Sequence, residues 1–222
     1  PENYDIPFNA QKIHGISTER AIKQGVDLNF VLEEFLNDVK NSNYIIGHNI
    51  SFDNNVVGCE LLRKGYNNIL SNHSCLDTKD LSTDYCKIPG GRGGRYKWPS
   101  LTELHYKLFD EDFAEAHNAS ADVEATARCF LELIRIEVIP KNLVSMSDND
   151  FEVFQKNNKD KIQLIGLNIS PYDPLDKSET NEDYDLDLKN QIDNVSNNTD
   201  KLDNNVKLSF AHLHVHSQYS IL

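Results

Sequence analysis

Tyr44-Ile45-Ile46 is a short apolar run that stops at Gly47 and passes at once into a helical pattern through Phe52, Val56, Val57, Leu61 and Leu62, halted at Gly65. Just before it, Leu28, Val31, Leu32, Phe35, Leu36 and Val39 recur at helical spacing over residues 28–40, behind Asp27, which is placed to cap the start. A strand that feeds a helix through a glycine turn marks the α/β class. Further along, Ser74 to Thr78 reads as a second short strand, and Ser100-Leu101-Thr102-Glu103 as a capping box opening a helix through Leu104, His105 and Leu108. Ala119 to Ile136 should be the longest helix, with Val123, Ala127, Phe130, Leu131 and Ile134 on its buried face.

The 222 residues, 39% of them hydrophobic, suffice for one ordinary core but not two. No apolar run approaches the roughly 20 residues that cross a bilayer, and no leader pattern opens the chain, so we read it as soluble and cytoplasmic with no membrane partner. Cys59, Cys75, Cys86 and Cys129 lack C-x-x-C spacing and are expected as reduced thiols.

Composition shifts after Pro140. Residues 147–158 read as a short helix and Ile162 to Ile169 as a short strand. From 170 to 206 the chain is rich in Asp, Asn, Ser and Lys, with too little apolar surface to offset the entropy of ordering it, which is the mark of a disordered acidic linker. The final stretch, 207–222, turns apolar and histidine-rich, as if a second domain began there. The organisation is therefore a domain over 1–140, a short extension over 141–169, the linker, and that onset.

A net charge of −13 speaks against a nucleic-acid partner until its distribution is seen. Between Asp84 and Glu103 there is no acid, while Lys87, Arg92, Arg95 and Lys97 fall there with Tyr96 and Trp98. A basic, glycine-rich loop interleaved with aromatics can touch phosphates and stack on a base. Its bland alternative is a solvated surface loop.

Two carboxylates carry the chemistry. Asp53, in Gly47-His48-Asn49-Ile50-Ser51-Phe52-Asp53, and Asp122, in His117-Asn118-Ala119-Ser120-Ala121-Asp122, both fall at the start of a helix whose other face is apolar. Held together by two packed helices they would make a hard-oxygen nest for Mg2+ or Mn2+. His117, five residues before Asp122, can enter the same cleft from the preceding loop, and an imidazole suits proton abstraction from water at neutral pH. These parts fit metal-assisted phosphodiester hydrolysis, in which two ions hold the attacking and departing oxygens. Taken singly, Asp53 reads more readily as a helix-start carboxylate favoured by the dipole than as a ligand, and Asp122 alone could be the same.

Gly47-His48-Asn49-x-x-Phe52-Asp53 followed by His117-Asn118-Ala119-x-x-Asp122 resembles the second and third motifs of the DEDDh 3′–5′ exonucleases, relatives of the proofreading epsilon subunit of bacterial polymerase III, with a ribonuclease H-like fold. The resemblance runs from about residue 5 to 136, and Ile13-His14-Gly15-Ile16 is similar to a further segment of these enzymes. It implies that Asp53 and Asp122 hold two Mg2+ or Mn2+ ions, that His117 activates the water, and that His48, Asn49 and Phe52 shape the cleft around a 3′-terminal nucleotide; Arg92, Arg95 and Lys97 of the basic loop would contact the strand on their own charge. The family's first motif, Asp-x-Glu on an opening strand, is absent ahead of Ile13. With Pro1 as first residue, the expectation is that the first strands have been cut away, leaving a piece that binds metal weakly and hydrolyses little.

Phe210-Ala211-His212-Leu213-His214-Val215-His216-Ser217-Gln218-Tyr219 resembles the start of the PHP domain of the polymerase III alpha subunit, where His212 and His214 would begin a Zn2+ or Mn2+ cluster. The two resemblances together imply the proofreading region of a fused bacterial replicative polymerase, acting on single-stranded DNA 3′ ends beside replisome partners such as the sliding clamp. A stand-alone exonuclease acting on DNA or RNA and an inactive nucleic-acid-binding module are the alternatives.

Overall fold

The computed structural model describes residues 4–112, 119–166 and 210–212. The described residues divide into two compact units, one holding residues 4–26 and the other 27–112, 119–166 and 210–212. In the first, α1 (Phe8–His14) ends at Gly15, whose φ of 73° is left-handed, and α2 (Thr18–Gln24) follows. Ser17 caps α2 by accepting from the Arg20 amide at 3.1 Å. Neither helix is legible in the sequence, because seven residues fill fewer than two turns of about 3.6 and leave no periodicity to read.

The second unit is built on a parallel three-stranded sheet, β1 (Tyr44–Gly47) between β2 (Cys75–Asp77) and β3 (Phe210–His212). Helix α3 (Leu28–Asn41), capped by Asp27, and α4 (Ile50–Arg63) enclose a core of Leu32, Leu36, Val39, Ile45, Ile50, Val57 and Leu61. Strand alternation turns Ile46 to the other face, and α7 (Ala119–Arg135) also packs on β1. Helices α5 (Thr78–Cys86) and α6 (Leu101–Phe109) pack against α7, and α8 (Asp148–Asn157) comes after it. Helices flank a small parallel sheet, the α/β arrangement expected, consistent with a ribonuclease H-like fold. The linker, 170–206, lies outside the described residues. Among the described residues no helix is long and apolar enough to cross a membrane, and all four cysteines are free thiols. Burial pushes the Cys129 thiol up, which keeps it unreactive.

The expected elements over 28–40, 44–46, 52–62, 100–108, 119–136 and 147–158 form within a few residues of those limits. Helix α5 does not announce itself, because its buried positions Thr78, Ser82 and Cys86 are small or polar and carry no apolar stripe.

α7 departs from the amphipathic reading. Val123 and Leu131, expected inside, are only half-buried, whereas the charged stripe Glu124, Arg128 and Glu132 is buried. The stripe faces the extended segment 162–166. Arg128 Nε donates to the Ile162 carbonyl at 2.8 Å, the Ile162 amide donates to Glu132 Oε2 at 2.9 Å, and the Ile165 amide donates to Glu124 Oε1. Arg135 grips Glu132 through two bonds, 2.9 and 2.6 Å. The strand expected over Ile162 to Ile169 does not form at 162–166, since its backbone partners are side chains of a helix rather than a neighbouring strand; residues 167–169 lie outside the described residues.

Arg128 also reaches Glu111 at 2.7 Å and donates to His105 Nε2 at 3.3 Å, while His105 Nδ1–H donates to the Glu111 carbonyl at 2.9 Å. Burial first, and then the adjacent guanidinium, holds the His105 imidazole below its ordinary range despite that carbonyl bond. A group whose folded pKa is lowered binds protons more readily when unfolded, so stability falls as pH drops below about 6.5. Denaturant unfolding between pH 7 and 5 should show this loss, and His105→Gln should flatten it. An equal pH slope in both proteins would exclude His105 as its source.

Candidate active site

The site is built where β1 and β2 end. A Cβ at Gly47 would lie 2.5 Å from Ile50 Cδ1 and 3.1 Å from its Cβ, so any side chain here would force Ile50 to shift at the turn into α4. Asn49 takes the left-handed φ of 68° that asparagine tolerates, and its own side chain caps nothing in α4. The cap comes from β2 instead. Asp77 accepts from the amides of Asn49 at 2.9 Å and Ile50 at 3.1 Å, and from the Lys79 amide of its own helix at 3.0 Å. One carboxylate thus fixes the first turns of both α4 and α5.

Asp53 lies in the first turn of α4 and is 3% exposed; Asp122 lies in the first turn of α7 and is 7% exposed. Carboxylates are favoured there by the helix dipole, and as hard oxygen donors they suit a divalent cation of the Mg2+ or Mn2+ type. α4 packs against β2 and α7 against the neighbouring strand β1, so both carboxylates belong to helices packed on the same sheet. Among the described residues no three His, Cys, Asp or Glu side chains gather as a metal cluster. His117 and His214 lie outside the described residues; the backbone of His212 closes β3 opposite Ile46.

His48 is locked from both ring nitrogens. Nε2–H donates to the Pro99 carbonyl at 3.0 Å, while Nδ1 at 3.0 Å and the Gly47 carbonyl at 3.1 Å share the single hydroxyl proton of Thr78 Oγ1. The imidazole therefore ties the loop before α6 to the end of β1. Asn49 Oδ1 accepts from Lys79 Nζ at 2.8 Å, and Phe52 is exposed. Asp77, Thr78 and Lys79 escaped the sequence reading. Their signal was position alone, a polar triplet at the carboxyl end of a short strand.

In the basic loop a Cβ at Gly91 would collide with the carbonyls of Arg95 and Tyr96, and the Lys97 amide donates to the Ile88 carbonyl at 2.7 Å. Arg92 and Arg95 are exposed at its tip. Lys97 is turned back onto Glu103 at 2.8 and 3.0 Å, which holds that carboxyl below its usual range. Glu103 meanwhile closes the expected capping box with Ser100.

Residues 1–130 match the family model of the RNase_T exonucleases. The chain belongs to this exonuclease family. No curated protein matches it. The match spans Asp53, Asp122 and the basic loop, and it makes this exonuclease a nuclease-type hydrolase with a nucleic-acid substrate. DEDD exonucleases generally use divalent metals such as Mg2+ or Mn2+, which the buried oxygen donors at Asp53 and Asp122 fit. The match ends inside α7, whose buried charges take partners from 162–166, beyond the matched residues. In this exonuclease, replacing Arg92 and Arg95 by alanine should weaken single-strand binding and lower its logarithmic salt slope by about 1.4, roughly 0.7 per phosphate contact. A slope unchanged in titrations at several salt concentrations would remove the loop from the interface.

Proposed function

We propose that this region is the proofreading 3′–5′ exonuclease of a bacterial replicative polymerase of the polymerase III alpha type. The observation that carries it is the pair of buried carboxylates, Asp53 and Asp122, set in first turns of two helices within a family-matched exonuclease region. The strand's last phosphodiester enters beside Asp53 and Asp122, which would hold Mg2+ or Mn2+. Those ions, when bound, supply Lewis-acid stabilisation of charge on the phosphoryl oxygens. His117 takes a proton from water, the water oxygen bonds to phosphorus, and the bond to the penultimate 3′ oxygen breaks. A nucleoside 5′-monophosphate leaves, and the departing 3′ oxygen takes a proton from solvent, so the shortened strand ends in a 3′-hydroxyl. His48, Asn49 and Phe52 line the approach to the terminal nucleotide. The PHP-like onset at 207–222 supports a polymerase context, with single-stranded DNA 3′ ends and the sliding clamp as partners.

A binding module without hydrolysis is the second reading, which the exposed Arg92 and Arg95 of the basic loop would serve equally well. A 5′-labelled primer in Mg2+, alone and annealed to templates that leave its 3′ end paired or mispaired, separates the two. Stepwise shortening from the 3′ end, faster on a mispaired terminus than on a paired one, supports the proofreading reading. Binding without shortening supports the second, and shortening without preference for a mispaired end removes the proofreading role.

A further inference from the structure

We propose that Trp98 is a stacking platform for an unpaired base of the nucleic-acid strand, held in place by Lys79. Trp98 is 63% exposed, an unusual position for the largest apolar side chain, and it is the chain's sole tryptophan. It is not loosely placed. Lys79 Nζ sits 4.7 Å from the ring centroid, and that ammonium is itself fixed by Asn49 Oδ1 at 2.8 Å, with Asp77 at 3.8 Å and Asp80 at 3.9 Å. The next residue, Pro99, is bound by His48 through its carbonyl. An indole whose one face rests on an anchored cation, with most of its surface in solvent, is pre-oriented to receive a second flat ring at little entropic cost. The chemistry of such a ligand is a nucleobase, and every base offers a face, so the contact is tolerant of sequence. The platform adjoins His48 and Asn49, while exposed Arg92 and Arg95 lie on the same loop, where a phosphate backbone would run.

The inference rests on the nucleic-acid reading of the site. Because tryptophan occurs once, its fluorescence reports Trp98 alone when excitation avoids tyrosine. The full chain is titrated, with divalent ion chelated so that no strand is cut, with an end-labelled oligothymidylate and with an abasic strand of equal length. Label anisotropy follows binding, and indole emission follows contact. Quenching by the oligothymidylate and not by the abasic strand is expected. Trp98→Ala should weaken oligothymidylate binding roughly five- to a hundredfold, with Trp98→Phe restoring part of it and abasic binding unmoved. Anisotropy without quenching, or equal quenching by both strands, overturns the platform and leaves the exonuclease reading standing. Absence of both signals overturns the two together.

Discussion

In a protein that also carries the family's opening Asp-x-Glu, Asp122→Asn and Asp53→Asn should each lower metal-dependent shortening of a 3′ end by at least about a thousandfold, the equivalent of about 4 kcal/mol of transition-state stabilisation. The substitutions exchange one carboxylate oxygen for an amide nitrogen at nearly constant volume, so the fold should persist. A second readout keeps the expectation independent of turnover. A divalent ion that binds only the folded chain raises its melting temperature by mass action. Mn2+ should therefore raise the melting temperature of the unaltered chain, and either asparagine variant should lose that rise. A full Mn2+ response in both variants would show that the ion sits elsewhere, and unchanged shortening would remove these carboxylates from the chemistry.

The second large effect is on stability. Arg135→Met should cost about 3–5 kcal/mol, because it strands the Glu132 carboxylate, 2% exposed, with the Ile162 amide in place of its bidentate guanidinium partner. In a chain of this size that is a fall in melting temperature of about 10 °C. Burial pushes Glu132 toward neutrality, and the Arg135 and Ile162 bonds reverse this and hold it ionised. Glu132→Gln added to Arg135→Met should recover most of the loss, since the amide oxygen still accepts from Ile162 without carrying charge. If the double variant is no more stable than the single one, the damage lies in lost packing of the arginine stem.

What the sequence disclosed followed from how loudly each residue speaks locally. Asp27 before an apolar stripe, the Ser100–Glu103 box and the glycine after Ile46 each declare an element by their own chemistry, and each formed as read. The two carboxylates were legible because their neighbours repeat a motif. Asp77 was not. Its capping of α4 reaches across 28 residues to Asn49, and no local pattern records a hydrogen bond of that span. The stripe on α7 misled for a related reason: charged residues at helical spacing ordinarily mark a solvated face, and only the arrival of 162–166 makes burial tolerable.

That arrival has a schedule. Ile162 leaves the ribosome after Arg128 by about 2–7 s at ordinary synthesis rates, and until then the long helix has no backbone partners for its charged side. α7 should therefore stay undocked on the nascent chain, its apolar side open to chaperones, while β1, β2 and the helices before it can already assemble and β3 follows later still. The segment at 162–166 acts as the late clasp of the domain, setting when during translation the helix carrying Asp122 comes to rest.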